Sequence, residues 1–410
     1  MIDTQWREAM QELARRKLRT GLTLLGLVFG VGSIVAMQAV GEGSRREALR
    51  LVEGLGLNNV IAEAIVQDEE TLREVRQRSL GLALADANAA AAVVPGAKSF
   101  AAEKTIRTHS VFSEHGASDA GASGVTPDYF GLSSLTLASG RALNAEDEAA
   151  ARAVAVLGGQ AARALFPDGG AIGQEIKVNH VWLEVVGVLA DRDLGAENFE
   201  GVQLANESNR IFIPLSAAQL RFRFQPRESE IDRLVLQLDG PERLESGARV
   251  LAALLSQRHA GVQDYSLVVP LRLYRQHQQT QRIFRVVMGA IAGVSLIVGG
   301  IGIMNIMLAN VLERRREIGL LRALGARRND VVRQFLREAA LICICGALIG
   351  LLFGIVLAYL IAVFAGWQVA WSPVPVLLSA SVCALVGLGF GVYPANQAAQ
   401  LDPIAALRTE

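Results

Sequence analysis

Residues 339–401, AALICICGALIGLLFGIVLAYLIAVFAGWQVAWSPVPVLLSASVCALVGLGFGVYPANQAAQL, run for 63 positions without one Asp, Glu, Lys or Arg, and how that run divides decides the fold. A helix crossing a bilayer needs about 20 apolar residues, and a charge at its centre costs roughly 2.5–3.5 kcal/mol. The run is too long for one crossing. It is interrupted at Trp367-Gln-Val-Ala-Trp371-Ser-Pro373-Val-Pro375, where two prolines stop a helix and two tryptophans suit the headgroup level. It therefore reads as two spans, 339–365 and 376–395. Working outward, two more uncharged stretches appear: residues 20–41, between Arg19 and Glu42, and residues 286–312, between Arg285 and Glu313. Four spans result. Buried helices of a soluble protein would not run to such lengths.

Composition narrows the class further. Of 410 residues, 51% are hydrophobic and 20% charged, against about 45–50% and 25% in soluble domains. Lys+Arg and Asp+Glu balance at 40 each, which argues against nucleic-acid binding, where a basic surplus is the rule. A disordered chain and a disulfide scaffold are excluded as well. The first span follows Arg15, Arg16, Lys17 and Arg19, as a signal peptide would. Its apolar run exceeds the usual length of about 7–15 residues and no A-x-A site follows, so it reads as a retained anchor.

Basic residues on the cytoplasmic side set orientation. Arg7, Arg15, Arg16, Lys17 and Arg19 precede span one, and eight arginines (314, 315, 316, 322, 327, 328, 333, 337) lie between spans two and three. Both segments are expected inside, which puts both termini inside and the long segment between spans one and two outside. The organisation expected is a cytoplasmic segment 1–19, span 20–41, an outer domain with helical stalk 42–285, span 286–312, a cytoplasmic loop 313–338, spans 339–365 and 376–395, and a cytoplasmic tail 396–410. The fold class is thus a multi-pass α-helical membrane protein with four transmembrane helices and a large α+β extracytoplasmic domain between helices 1 and 2.

Within that outer domain, β-branched runs at 60–66, 153–157, 175–188, 210–214, 234–238 and 265–269 predict strands, and 86–94, 159–166 and 243–258 predict helices. The alternation is too irregular for a doubly wound parallel sheet, and two packed α/β lobes are expected. Ala48, Leu51, Val52 and Leu55 continue span one at helical spacing, and residues 271–285 lead into span two without a helix breaker. Together they predict a helical stalk.

Motifs for catalysis are missing. His109, His115, His180, His259 and His277 are scattered, H-E-x-x-H and C-x-x-C do not occur, and the acid clusters 146–148 and 191–193 read as solvated surface. Cys343, Cys345 and Cys383 all fall in spans three and four and read as small packing residues. G-x-S-x-G and G-x-x-x-x-G-K-[ST] are absent; Pro95-Gly-Ala-Lys98-Ser99 lacks the glycine that lets a backbone approach phosphate. No catalytic, cofactor or metal site is expected in this chain. Secondary transport usually leaves an ionisable group inside a span, and the four spans carry no Asp, Glu, Lys or Arg. Transport would draw its energy from another polypeptide.

Gly26-x-x-x-Gly30, Gly289-x-x-x-Gly293, Gly346-x-x-x-Gly350-x-x-x-Gly354 and Gly387-x-x-x-Gly391 place small residues on one helix face and predict close helix pairing, within the chain or across a dimer. Asn305 is placed to hydrogen-bond between helices near the inner leaflet. After span two the helix is predicted to continue to Leu324, turn at Gly325 and restart near Asn329. Its apolar positions Ile318, Leu320, Leu321 and Leu324 form either a headgroup-bound ridge or a partner's docking knob. Residues 221–225 (RFRFQ) and the loop 191–209 are an outer contact surface or a plain hairpin.

GGIGIMNIMLANVLERRREIGLLRALGARRND from Gly299 resembles the span-two signature of the MacB/FtsX-like permease superfamily of ABC transporters. RRKLRTGLTLLGLVFGVGSIVAMQAVGEG from Arg15, GVTPDYF from Gly124, SGRAL from Ser139, VAVLG from Val154, LFPDGGAIGQEIKVN from Leu165 and GVYPANQAAQLDPIAALR from Gly391 resemble the same superfamily, in its MacB branch. The resemblance covers nearly the whole chain. It implies a non-catalytic permease subunit of the inner membrane, paired with a second copy and with an ABC-class ATPase that binds the ATP and Mg. Because the chain begins almost directly at span one, that ATPase is expected as a separate polypeptide. The turn entering the ATPase groove would comprise Glu317, Ile318, Gly319, Leu321, Arg322, Ala323, Gly325 and Ala326.

The expected function is export of a periplasmic peptide, siderophore or toxin by mechanotransmission, with a periplasmic adaptor and an outer-membrane channel. Control of cell-wall hydrolases, as in FtsX-type members, and lipoprotein extraction, as in Lol-type members, are the alternatives. The MacB-like core motifs favour the first.

Overall fold

The computed structural model describes residues 17–191, 198–199, 202–203, 206–365, 373–402 and 406. The basic residues ahead of Lys17, the Trp367 to Trp371 break, most of loop 191–209 and most of the tail after Asp402 lie outside the described residues. The chain folds as two compact units, Met1–Glu47 with Gln278–Glu410, and Ala48–His277.

The helical unit is built from α1 (Lys17–Leu55), α9 (Pro270–Glu313), α11 (Arg328–Ala365) and α12 (Pro373–Ala399), with the short α10 (Arg315–Ala323) between α9 and α11. Among the described residues, four helices are long and apolar enough to cross a membrane, and they carry the three uncharged stretches, the longest of which supplies two of them. Helix α1 leaves the helical unit, and α9 enters it, without a break. The apolar side chains left on the outside, such as Val294, Ile297, Leu348, Leu352 and Val363, suit a lipid environment, where no hydrophobic drive separates inside from outside. The buried core joins Leu27, Val31 and Val35 of α1, Leu296, Ile303 and Met307 of α9, Phe335 and Ile342 of α11, and Cys383 and Ala395 of α12.

The α/β unit holds β1 (Asn59–Ala64), α2 (Glu69–Val75), α3 (Leu84–Val93), β2 (Ala97–Ile106), β3 (Val111–Phe112), β4 (Ala117–Ser118), β5 (Gly121–Val125), α4 (Tyr129–Leu132), β6 (Leu137–Gly140), α5 (Ala145–Ala149), β7 (Val154–Leu157) and α6 (Gly159–Leu165). It continues with β8 (Glu175–Val178), β9 (Val181–Leu189), β10 (Asn198–Phe199), β11 (Val202–Gln203), β12 (Arg210–Pro214), α7 (Leu215–Arg221), β13 (Arg233–Leu238), α8 (Leu244–Arg258) and β14 (Tyr265–Val268). Strands β10 and β11 form a hairpin of their own. The others form one mixed sheet in the order β14-β1-β13-β2-β5-β12-β7-β9-β8-β3-β4, with β6 beside β9. Among the described residues, only β5/β12 and β7/β9 are parallel.

Alternation along the strands explains the layering, because successive side chains point to opposite faces. On one face Val60, Ala62, Leu234 and Leu236 pack with α3 and α8, while Ala155, Leu157, Ile211 and Ile213 pack with α6 and α7. On the other, Ile61, Ala101, Val156, Phe212 and Val235 meet Tyr129 and Phe130 of α4 in a single core. The two expected lobes therefore share one sheet. The run 175–188, read as one strand, is a hairpin turning at Asn179, whose φ is +54°. At the entrance and exit of the unit, Ala48, Leu51 and Val52 of α1 pack with Leu273 and Tyr274 of α9.

Candidate functional site: the turn after span two

Helix α9 ends at Glu313, and Arg314 caps the next helix while its Nε donates to Glu317 Oε2 at 2.8 Å. Glu317 sits in the first turn of α10, where a negative charge complements the helix dipole. The chain leaves α10 through Gly325 at φ +101°, which only glycine adopts without strain, and Ala326 N donates to Leu321 O at 3.1 Å. Helix α11 starts with Asp330 Oδ2 accepting from Arg327 N at 3.0 Å, which satisfies a backbone donor otherwise orphaned at a helix start.

The short helix divides its residues between two faces. Ile318, 4% exposed, and Gly319 turn inward, Ile318 into the buried cluster with Val331 and Phe335 of α11 and Ala398 of α12. Leu320, Leu321 and Leu324 turn outward at 54%, 44% and 78% exposure. Glu317, Ala323 and Gly325 are exposed as well, and Ala326 is half-buried. The ridge read from the sequence is thus three leucines, with Ile318 anchoring it from below. Arg322 is half-buried and points back into the unit, its Nη1 donating to Ala399 O at 2.7 Å and Leu401 O at 2.8 Å.

The glycines read as packing residues separate in the same way. A Cβ on Gly26 would lie 2.9 Å from Gly299 Cα, and one on Gly30 would lie 2.6 Å from Leu296 Cγ, so both mark where α1 and α9 touch. Gly289 and Gly293 have nothing within 4 Å of an added Cβ. The crossing falls lower on α9 than their motif implied and uses Gly299 instead, leaving the Gly289 face open within this chain. Asn305, expected to bond between helices, is exposed and makes no side-chain hydrogen bond among the described residues. Between α1, α11 and α12 lies an apolar cavity of about 330 Å³, lined by Val31, Ala347 and Leu351 with Cys343, Cys383 and Ser379. Among the described residues, no charged group lines it.

The α/β unit contains a buried charge network that no local motif announced. Glu103, on β2, receives Arg210 Nη2 at 2.7 Å and Ser123 Oγ at 3.0 Å, with Arg233 Nη1 at 3.9 Å. Tyr129 OH donates to Glu207 Oε1 at 3.0 Å. Burial pushes the Glu103 carboxyl up, yet Arg210 and Arg233 outweigh it and hold it below the usual range. Burial raises the Glu207 carboxyl, and neighbouring Glu103 adds to that. The network links β2, β5, β12 and β13 near the middle of the sheet.

A second cluster joins elements far apart in sequence. His259 is 2% exposed, with Nδ1 2.6 Å from Asp264 Oδ1 and Nε2 3.4 Å from Asp86 Oδ2. Ser79 Oγ donates to Asp264 Oδ2 at 2.7 Å, as does Arg76 Nη1 at 3.0 Å. Burial lowers the imidazole, but bonds to both carboxylates outweigh it and raise its pKa.

Other sequence expectations shift. Asp147, read as solvated, is buried: it accepts from Asn144 N and pairs with Arg141 at the start of α5, so only Glu146 of that trio is exposed. The 221–225 segment ends α7 and is no hairpin; Phe222 and Phe224 pack on the core, under Lys104 Nζ at 5.2 Å from the Phe224 ring.

Residues 20–254 match the family described as MacB-like periplasmic core domain, more than half of the chain, and residues 289–403 match the FtsX-like permease C-terminal family. The chain belongs to the MacB/FtsX-like permease family. Among MacB-like relatives, it is 34% identical to the pyoverdine export ATP-binding/permease protein PvdT of Pseudomonas aeruginosa, over 99% of this chain and 60% of that protein. It is 32% identical to the macrolide export ATP-binding/permease protein MacB of Chromobacterium violaceum, over 98% and 60%. The chain therefore spans about 60% of the length of these curated relatives, and the matched part is the permease. The periplasmic region of MacB from Actinobacillus actinomycetemcomitans superposes with a TM-score of 0.43 at 19% identity, covering 55% of this chain and 95% of that one. A MacB-type periplasmic domain with four apolar helices makes this an inner-membrane protein of the permease type.

Proposed function

We propose that this MacB-like chain relays force from an ABC-class ATPase at α10 to the periplasmic core domain, and so drives export of a periplasmic substrate. The observation that carries the reading is the Leu320, Leu321 and Leu324 ridge, exposed on a helix whose other face is anchored in the bundle. Exposed leucines flanked by arginines suit a groove on a partner protein, where a few buried anchors supply most of the affinity. ATP and Mg belong to that partner; this chain supplies no cofactor site of its own.

A lever needs stiffness, and α9, with 44 residues, and α1, with 39, run unbroken for about 66 and 58 Å at 1.5 Å per residue. Uncharged spans offer no polar conduit through the lipid, so the substrate stays on the periplasmic side. Both termini and the α10 turn are cytoplasmic in this reading, following the arginine bias. The open Gly289 and Gly293 face is where a second copy of the chain would pack, small residues letting helices approach. The relatives named for pyoverdine and macrolide export support a siderophore, a toxin or a peptide as cargo, handed to an adaptor and an outer-membrane channel.

Affinity purification of the intact membrane complex tests this. An ABC-type ATPase and a periplasmic adaptor should co-purify with the wild-type chain, and the ATPase should be lost with Leu321→Asp. Recovery of a murein hydrolase would turn the reading to the FtsX type, and bound acylated protein to the Lol type.

A further inference from the structure

Arg322 belongs to the segment that the family resemblance assigns to ATPase contact, but its guanidinium does not face the surface that carries the leucine ridge. Its Nη1 bonds two backbone carbonyls, Ala399 O at 2.7 Å and Leu401 O at 2.8 Å. Ala399 is the last residue of α12. The final carbonyls of a helix have no partner within it and carry the negative end of its dipole, so a cation there is doubly favoured. Arg322 Nε is buried and has no hydrogen-bond partner among the described residues. At the other end of α10, Arg314 Nη1 donates to Glu338 Oε1 of α11 at 2.9 Å. The docking helix is thus fastened to α11 in front and to α12 behind, besides its covalent link to α9.

From this we infer that Arg322 is a positioning residue, a latch tying the docking helix to the C-terminal end of α12, so that a push on the leucine ridge moves α11 and α12 together with α9. The force-transmission half of this inference rests on the function proposed above; the latch itself does not.

Hydrogen exchange on the full chain in lipid nanodiscs tests the latch without any partner. Gln400 and Leu401 amides bond to Asn396 and Ala398 carbonyls in the last turn of α12. Arg322→Ala should speed their exchange about tenfold, since charge-assisted bonds to two carbonyls are removed. Arg322→Lys, which keeps a cation but not the planar fork, should restore part of the protection, and Leu321→Asp should leave it unchanged. In the affinity experiment, Arg322→Ala should still capture the ATPase while Leu321→Asp does not. Unchanged exchange at residues 396–402 in Arg322→Ala would overturn the latch whatever the ATPase does. Loss of capture as complete as that of Leu321→Asp, with exchange unchanged, would make Arg322 a partner contact. Capture of no ATPase by any version would sink the coupling reading and leave the latch to the exchange result.

Discussion

Replacing His259 by Asn removes a cation held between two buried carboxylates. The raised imidazole pKa makes its contribution present in full below the unfolded value of about 6.5 and lost as pH rises through the higher folded value. Asp86 and Asp264 are lowered by their bonds to His259 and Ser79, after burial has pushed them up, so their contribution is present above about 3.9 and lost as pH falls through their folded values. The two windows overlap in mild acid, where the periplasmic unit should be most stable. A charge-assisted hydrogen bond contributes about 1.5–3 kcal/mol, and the 2.6 Å bond to Asp264 Oδ1 is the strong one; the 3.4 Å approach to Asp86 adds little. His259→Asn should therefore cost about 2–3 kcal/mol near pH 5.5. At roughly 2–4 °C per kcal/mol for a unit of this size, that is a drop of about 4–12 °C. The assay is thermal unfolding of the full chain in nanodiscs, with exchange read at peptides from α3 and α8. Wild type should lose stability between pH 5.5 and pH 8.5, and His259→Asn should be nearly flat across that range. Equal slopes for the two proteins would refute a charged His259.

Glu103→Gln should destabilise the periplasmic unit by about 3–5 kcal/mol, because Arg210 and Arg233 would stay buried with less counter-charge; chemical denaturation of the full chain checks it. Gly26→Leu should lower the thermal midpoint of the helical unit, because a Cβ there would already lie 2.9 Å from Gly299 Cα, well inside van der Waals contact with backbone. A Cβ on Gly293 has nothing within 4 Å in the described chain, so Gly293→Ala should spare the midpoint and weaken self-association, seen as less cross-linked dimer. Gly325→Ala should cost about 1–2 kcal/mol, since φ +101° is unfavourable with a Cβ, and should lower ATPase capture several-fold without preventing membrane insertion.

The membrane half of the fold was legible because charge absence is a one-dimensional signal: each uncharged stretch became one helix or, split at the tryptophans and prolines, two. The turn after span two was legible from Gly325 and the leucine spacing. What escaped depended on pairing across the fold. Strand β2, AKSFAAEKTI, carries Glu103 and Lys104 into the interior, and no propensity predicts a central strand with two buried charges until Arg210, Arg233 and Asp232 are placed opposite. Strand β5, GASGV, is built of small residues, with α7 covering it so closely that a Cβ on Gly124 would meet Ala218 at 2.5 Å. His259 looked isolated because Ser79 and Asp86 reach it from 180 and 173 positions away, and Asp264, five residues on, lies beyond a turn. The direction of Arg322 was hidden for the same reason: its partners are carbonyls 77 and 79 positions away.

In the proposed function, nucleotide chemistry inside moves a domain outside through this chain. The most direct measurement is hydrogen exchange along residues 42–55 and 271–285 of the ATPase-bound complex, with and without ATP and vanadate. A nucleotide-dependent change in both segments is expected, with none in Leu321→Asp mixed with the same ATPase, which that variant should fail to bind. Identical exchange in the two nucleotide states of the wild-type complex would contradict it.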